Sequence, residues 1–162
     1  MRVSVFNGDI CDAPAEAICT STNPRLSLVM GTGASVRARG GIEILRACER
    51  IAPQPAGSAH VTTAGALPAK IVVHCVASDA AHRSSPSVVR ACVRNAVNAA
   101  VAAGCRSIAM PLFATGHAHL AFTQSVQTMA DTLREMQPPF EQIFIVVYDA
   151  ERVEEVRDVF AL

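Results

Sequence analysis

The chain has 162 residues, 51% of them hydrophobic and 17% charged, with fourteen Lys or Arg against fourteen Asp or Glu. Its length suits one domain around one core, residues 1–162, and its composition excludes a disordered chain. A formal net charge of zero excludes capture by nucleic acid or an anionic membrane through bulk charge, so any phosphate must be held locally, by backbone amides or one or two cations.

Strand-length apolar runs alternate with helical patterns along the chain. Arg2–Phe6 alternates polar and apolar residues, as an edge or half-exposed strand does, and Ala15–Thr20 is a second short strand running into "STN". The stretch from Pro24 to Gly41, "PRLSLVMGTGASVRARGG", reads as a glycine-rich loop without an acidic residue. Gly41–Ile51 follows as a helix, because Ile44, Leu45, Cys48 and Ile51 recur at spacings of three and four. Ala59–Thr63 alternates again. Lys70–Ala77 is nearly all apolar and rich in β-branched residues, as a strand covered on both faces requires.

Ser85 with Pro86 behind it marks a helix start, Val89, Val93, Ala96, Val97 and Ala100 form its apolar stripe, and Gly104 ends it. Arg106–Leu112 is the next strand. A further amphipathic helix carries Val126, Met129, Ala130, Leu133 and Met136 and stops at Pro138–Pro139. Ile143–Tyr148 is the last strand, and Asp149 caps a final helix with Val153, Val156 and Phe160. The order ββαββαβαβα predicts an α/β fold with a parallel or mixed sheet covered by helices on both faces, whose ligands bind beyond the carboxyl ends of the strands.

Four segments leave strands there: "NGDI", "STNPRLSLVMGTG", "ASDAAHRSS" and "FATGHAHL". Glycines 31, 33 and 116 let main-chain N–H groups come close to a ligand, and consecutive amides before a helix form an anion site. Neither glycine loop is a P-loop or a dinucleotide-binding fingerprint. His117 and His119 form an H-x-H without a third or fourth ligand at a readable spacing, so no metal and no cofactor is expected. No run reaches the ~18 apolar residues of a membrane span. The N-terminus "MRVSVFNGD" lacks a secretory signal pattern, and the six cysteines contain no C-x-x-C pair. They are expected to be reduced, core-filling residues of a cytoplasmic protein.

Taken in order, "NGDI", a strand ending in "STN", "MGTG", "AGALPAKIVVH" and "MPLFATG" resemble a macro domain, the ADP-ribose-binding fold, over nearly the whole chain. The resemblance implies a three-layer α/β/α sandwich with a mixed, roughly six-stranded sheet, and ADP-ribose in a cleft at the strand ends. It implies that Asp9 accepts a hydrogen bond from the adenine amino group and that the Ile10 amide serves a ring nitrogen. Asn23 would reach the distal ribose. Gly31, Thr32, Gly33, Ala34 and Ser35 would line that ribose and its phosphate, with Thr115, Gly116, His117, Ala118 and His119 wrapping the diphosphate from the other side. Val76 would line the cleft, and Tyr148 would lie against adenine.

Two departures stand out. The segment "ASVRARGG" is shorter than the family's usual pattern, so the adjoining helix is expected to start late or give way to a turn. Many deacylating or deADP-ribosylating relatives also carry an aspartate just after their glycines, where this chain has Ala34, Ser35 and Val36. Asn23, Ser35 and His117 are the candidates left for catalysis. Two functions stay open on these residues: a binding module for ADP-ribose, free or carried on a macromolecule, and a hydrolase acting on ADP-ribosylated protein or nucleic acid, O-acetyl-ADP-ribose or ADP-ribose-1″-phosphate. A different α/β nucleotide binder is a weaker third.

Overall fold

A computed structural model describes residues 1–116 and 118–162. Its six strands are β1 (Arg2–Asn7), β2 (Ala17–Thr22), β3 (Ala59–Thr63), β4 (Ile71–Val76), β5 (Ser107–Pro111) and β6 (Gln142–Val147), and its helices are α1 (Gly31–Gly40), α2 (Ile42–Ile51), α3 (Pro86–Ala102), α4 (Phe122–Met136) and α5 (Val153–Phe160). The strands form one sheet in the order β1-β6-β5-β2-β4-β3. Every pairing is parallel except β3 with β4, so the sheet is mixed and five strands end along the same edge.

The period-two alternation of the strands sorts their side chains into two cores. Ala17, Cys19, Val73, Cys75, Ile108, Met110 and Ile145 face α3, α4 and α5, whose contributions include Val89, Val93, Met129 and Val156. The alternate residues, Ile18, Val72, Val76, Ala109 and Val146, face α1 and α2 through Val36, Ile44 and Cys48. The result is the three-layer α/β/α sandwich. β4 lies one place from the sheet edge, yet Val72–Val76 are buried on both faces.

Ser85 Oγ accepts from the Val88 amide, with Pro86 as the first residue of α3, and the stripe from Val89 to Ala100 is buried. Asp149 caps a single 3-10 turn, Ala150–Arg152, that leads into α5, rather than α5 itself. All six cysteines are free and buried. Burial pushes the thiols of Cys11 and Cys48 up to about 11 and that of Cys92 to about 12, which makes them packing groups and poor nucleophiles. One polar cluster is enclosed with them. His74 is fully buried, its Nδ1 3.0 Å from Thr20 Oγ1 and its Nε2 2.8 Å from Thr62 Oγ1. Thr62 donates its own hydrogen to the Thr63 carbonyl, so His74 donates through Nε2 and accepts at Nδ1 as a neutral imidazole.

The expectation of a late or missing helix after the glycines is overturned, because α1 begins at Gly31 itself and runs to Gly40. What makes it possible is close backbone packing. A Cβ at Gly33 would lie 3.1 Å from Leu28 Cα, and one at Gly65, in the β3–β4 turn, would run into the Gly40 carbonyl oxygen. That same oxygen accepts from the Ala66 amide at 2.9 Å, which ties the end of α1 to the turn.

Candidate functional site

The sheet changes direction between β5 and β2: β5 continues through α4 to β6 on one side, and β2 through α1, α2 and β3 to β4 on the other. Such a switch leaves a crevice beyond the strand ends. A two-lobed cleft lies there. Gly31, Thr32, Pro111, Leu112, Thr115 and Gly116 border both lobes and form its waist. The larger lobe, about 680 Å³, extends past Asp9, Ser35, Phe122 and Tyr148. The smaller, about 220 Å³, extends past Ser21, Asn23, Ser78 and His82.

The N-terminus of α1 stands at the waist, where Gly31 and Thr32 border both lobes. Met30 provides no side-chain cap, the first turn has no acidic residue, and the Ala34 amide is the one that bonds back to the Met30 carbonyl, at 3.3 Å. The amides of Gly31, Thr32 and Gly33 therefore lack an intrahelical acceptor, and they carry the positive end of the helix dipole. Gly31 is at φ +56°, a left-handed conformation that favours glycine. Thr32 Oγ1 accepts from the Ser21 amide at 3.0 Å and fastens the helix start to β2. Opposite, Thr115 Oγ1 donates to the Leu112 carbonyl at 2.9 Å and the Ala114 amide approaches Ser21 Oγ at 3.5 Å, which shapes the second loop.

Asp9 has internal partners on both oxygens. Oδ1 accepts from the Cys11 amide at 2.8 Å and Oδ2 from Ser35 Oγ at 2.5 Å, while Arg39 Nη1 stands 3.5 Å from Oδ1. Burial alone would raise this carboxyl, but the Ser35 hydroxyl, the Cys11 amide and the Arg39 guanidinium together hold it below the usual range. Ile10, the first residue of the 3-10 turn that Asp9 caps, has a buried side chain at the same lobe. Tyr148 borders the same lobe and is 84% exposed, so most of its surface meets water.

Asn23 borders the smaller lobe, where its Oδ1 accepts from the Arg25 amide at 3.0 Å and its Nδ2 donates to Ser27 Oγ at 2.8 Å. Ala118 borders the same lobe. Several expected residues lie elsewhere. Gly33 is buried against Leu28, so its glycine serves helix–loop packing. Ala34 is not among the residues that border either lobe. Val76 is fully buried, its amide bonded to the Ser58 carbonyl and its own carbonyl to the Gly57 amide. His119 is exposed at φ +54° outside the cleft border, and His117 lies outside the described residues. Ser35 borders the larger lobe alone and gives its proton to Asp9, which removes it from any chemistry in the smaller lobe.

Phe122, Arg152, Ser78 and His82 are among the bordering residues that sequence reasoning passed over. Phe122 opens α4, and the Arg152 guanidinium stacks on its ring at 4.3 Å while pairing with Glu155 at 2.7 Å. Ser78 and His82 come from "ASDAAHRSS", a segment already placed at the right edge by its strand. Their signal was position after a strand, since the residue types alone are common in surface turns. Among the described residues, no Asp or Glu borders the smaller lobe, no cluster of three or more His, Cys, Asp or Glu converges, and no helix is long and apolar enough to cross a membrane.

Comparison with known proteins matches this geometry to one fold. The chain is 32% identical to an O-acetyl-ADP-ribose deacetylase of Citrobacter rodentium, over 93% of this chain and 90% of that protein. It is also 32% identical to a macro domain-containing protein of Streptomyces griseus, over 99% and 95%. Among solved structures, a Trypanosoma brucei macrodomain in complex with ADP superposes with a TM-score of 0.88 at 20% identity, over 97% of this chain and 68% of that one. A variant of the Oceanobacillus iheyensis macrodomain with ADPR gives 0.85 at 18% identity, over 98% and 89%. The Macro domain model matches residues 19–129, from within β2 to within α4, and the chain belongs to the macro domain family.

Proposed function

We propose that residues 1–162 act as one macro domain that binds ADP-ribose, free or attached to a macromolecule. The observation that carries this reading is the waist of the cleft, where the uncapped N-terminus of α1 meets the Thr115–Gly116 loop between two unequal lobes. A diphosphate fits that waist because free amides and a helix dipole favour an anion where the chain's neutral overall charge does not. The larger lobe then takes adenine, with the Asp9 carboxylate accepting from its amino group and Tyr148 against the ring, and the smaller takes the distal ribose near Asn23. A ceiling of about 0.3 kcal/mol per atom over roughly 36 non-hydrogen atoms limits binding to about 11 kcal/mol. Ordering costs bring the expected affinity into the micromolar range, about −8 kcal/mol. Six free, buried thiols support a reducing compartment, the cytoplasm.

Titration calorimetry with ADP-ribose, AMP and inosine diphosphate ribose tests the reading. Strong heat is expected with ADP-ribose, weaker with AMP, and little with the inosine analogue, whose 6-oxo group meets a carboxylate. Equal heats for the adenine and inosine compounds would remove Asp9 from the purine.

A second reading, hydrolysis of an ADP-ribosyl bond or ester, is favoured by the deacetylase names of relatives that match almost the whole chain. The smaller lobe offers hydroxyls, an amide and His82, with no carboxylate among the described residues to activate water. Catalysis there relies on the substrate's own phosphate to position the nucleophile. Incubation with O-acetyl-ADP-ribose and with ADP-ribose linked to glutamate, arginine and thymidine decides between the readings, release of ADP-ribose from any of them favouring the hydrolase.

A further inference from the structure

Asp9 is usually considered for what it offers a ligand; its other contacts decide how it offers it. A carboxylate has about four acceptor directions. Oδ1 accepts from the Cys11 amide at 2.8 Å with the Arg39 guanidinium 3.5 Å away, and Oδ2 accepts from Ser35 Oγ at 2.5 Å. Oδ2 keeps acceptor capacity for the lobe. Ser35 gives its only proton to Asp9, so its oxygen is an acceptor too, with the Cys11 thiol 3.6 Å away. Arg39 is itself held by Asp12 at 2.7 Å, and so keeps its place beside Oδ1.

We propose that Ser35, supported by Arg39, is a positioning residue for purine selectivity: it holds Asp9 in one orientation as a bare acceptor, so the lobe admits an exocyclic amine and rejects a 6-oxo group. The proposal rests on the reading of Asp9 as the group that meets the purine. Its physical basis is that a site built of acceptors leaves them unpaired, or facing another acceptor, when the ligand brings a carbonyl, and polar mismatch of this kind discriminates far better than a missing methylene. With Ser35 truncated, the carboxylate is held through one oxygen only and its plane is free to turn. An acceptor that no longer meets the purine edge at one fixed angle discriminates less, and selectivity falls. The same helix whose first turn stands at the waist carries Ser35 one turn later and Arg39 two turns later, so the two ends of the ligand are read by one rigid element.

The test measures affinity for ADP-ribose and inosine diphosphate ribose in wild type, Ser35→Ala, Ser35→Thr, Asp9→Ala and the Asp9→Ala/Ser35→Ala pair, with thermal unfolding as the check on folding. Ser35→Ala is expected to weaken ADP-ribose about fivefold, narrow the preference over the inosine analogue about tenfold, and leave the unfolding midpoint within about 2 °C. Ser35→Thr, which keeps the hydroxyl, is expected to restore the preference. The second substitution is expected to add nothing once Asp9 is alanine, because the effect passes through the carboxylate. Unchanged preference in Ser35→Ala, or additive losses in the pair, overturns the proposal and leaves the adenine reading standing. Unchanged binding of both ligands by Asp9→Ala removes the adenine reading, and the proposal with it.

Discussion

The two lobes of the cleft are built by opposite means. The larger is organised around a charge: Asp9 is held by a hydroxyl, an amide and a guanidinium, and Arg152 over Phe122 stands on its far wall. The smaller is organised around neutral groups, Ser21, Asn23 and Ser78, whose positions come from turns and strand ends. One lobe is wired to recognise, because its charge and its partners are in place before any ligand arrives. The other offers hydroxyls and an amide set by strand ends and turns. On the proposed reading, affinity is set chiefly at the purine end.

Acid sharpens the contrast most. His74 is bonded to Thr20 of β2, and burial with His60 nearby pushes it down to about 4. Its folded pKa is below the unfolded value of about 6.5, so the unfolded chain takes up the proton first as pH falls. The stability present above pH 6.5 drains away towards pH 4, by about 3 kcal/mol. Against burial, which would raise it, Ser35, the Cys11 amide and Arg39 hold Asp9 below the usual carboxylate range. Urea unfolding of wild type and His74→Asn at pH 7.5 and 5 is expected to show the loss in wild type and a flattened slope in the variant.

Asn23→Ala removes both side-chain bonds that shape the turn after β2 and is expected to weaken ADP-ribose about fivefold while leaving AMP, which never enters the smaller lobe, unchanged. Equal losses for both ligands would mean the lobes are not separable. Tyr148→Ala gives the smallest effect, about twofold on either ligand by calorimetry, because a ring 84% exposed is not fixed by packing and must be ordered as the ligand binds.

Much of the fold was legible because it is written in local signals. Ser85–Pro86 starts α3, Ala59–Thr63 is β3 to the residue, and the doubly buried run Val72–Val76 appears as an apolar stretch broken by His74 alone. Helix α1 was not legible. Its buried positions are Gly33, Val36 and Gly40, so no apolar stripe exists to detect, and glycine is a poor helix former. Its stability comes from backbone packing against Leu28 and the β3–β4 turn, which no window of sequence contains. The site divides along the same line. Asp9, Asn23, Thr115 and Tyr148 follow from motif and strand position, whereas the Ser35 and Arg39 contacts to Asp9 join residues 26 and 30 apart in the chain, and Phe122 meets Arg152 through the packing of α4 beside α5.

The contact of Gly40 with Gly65 and Ala66 sits at the rear of α1, about 15 Å from the helix start at the waist of the cleft. A short rod clamped at its tail points wherever the clamp directs it, and this clamp is main chain on main chain, with no side chain able to yield. The hairpin carrying residues 64–67 thereby sets the aim of a helix start it never touches. A change there is expected to retune ligand strength while every residue bordering the cleft stays the same.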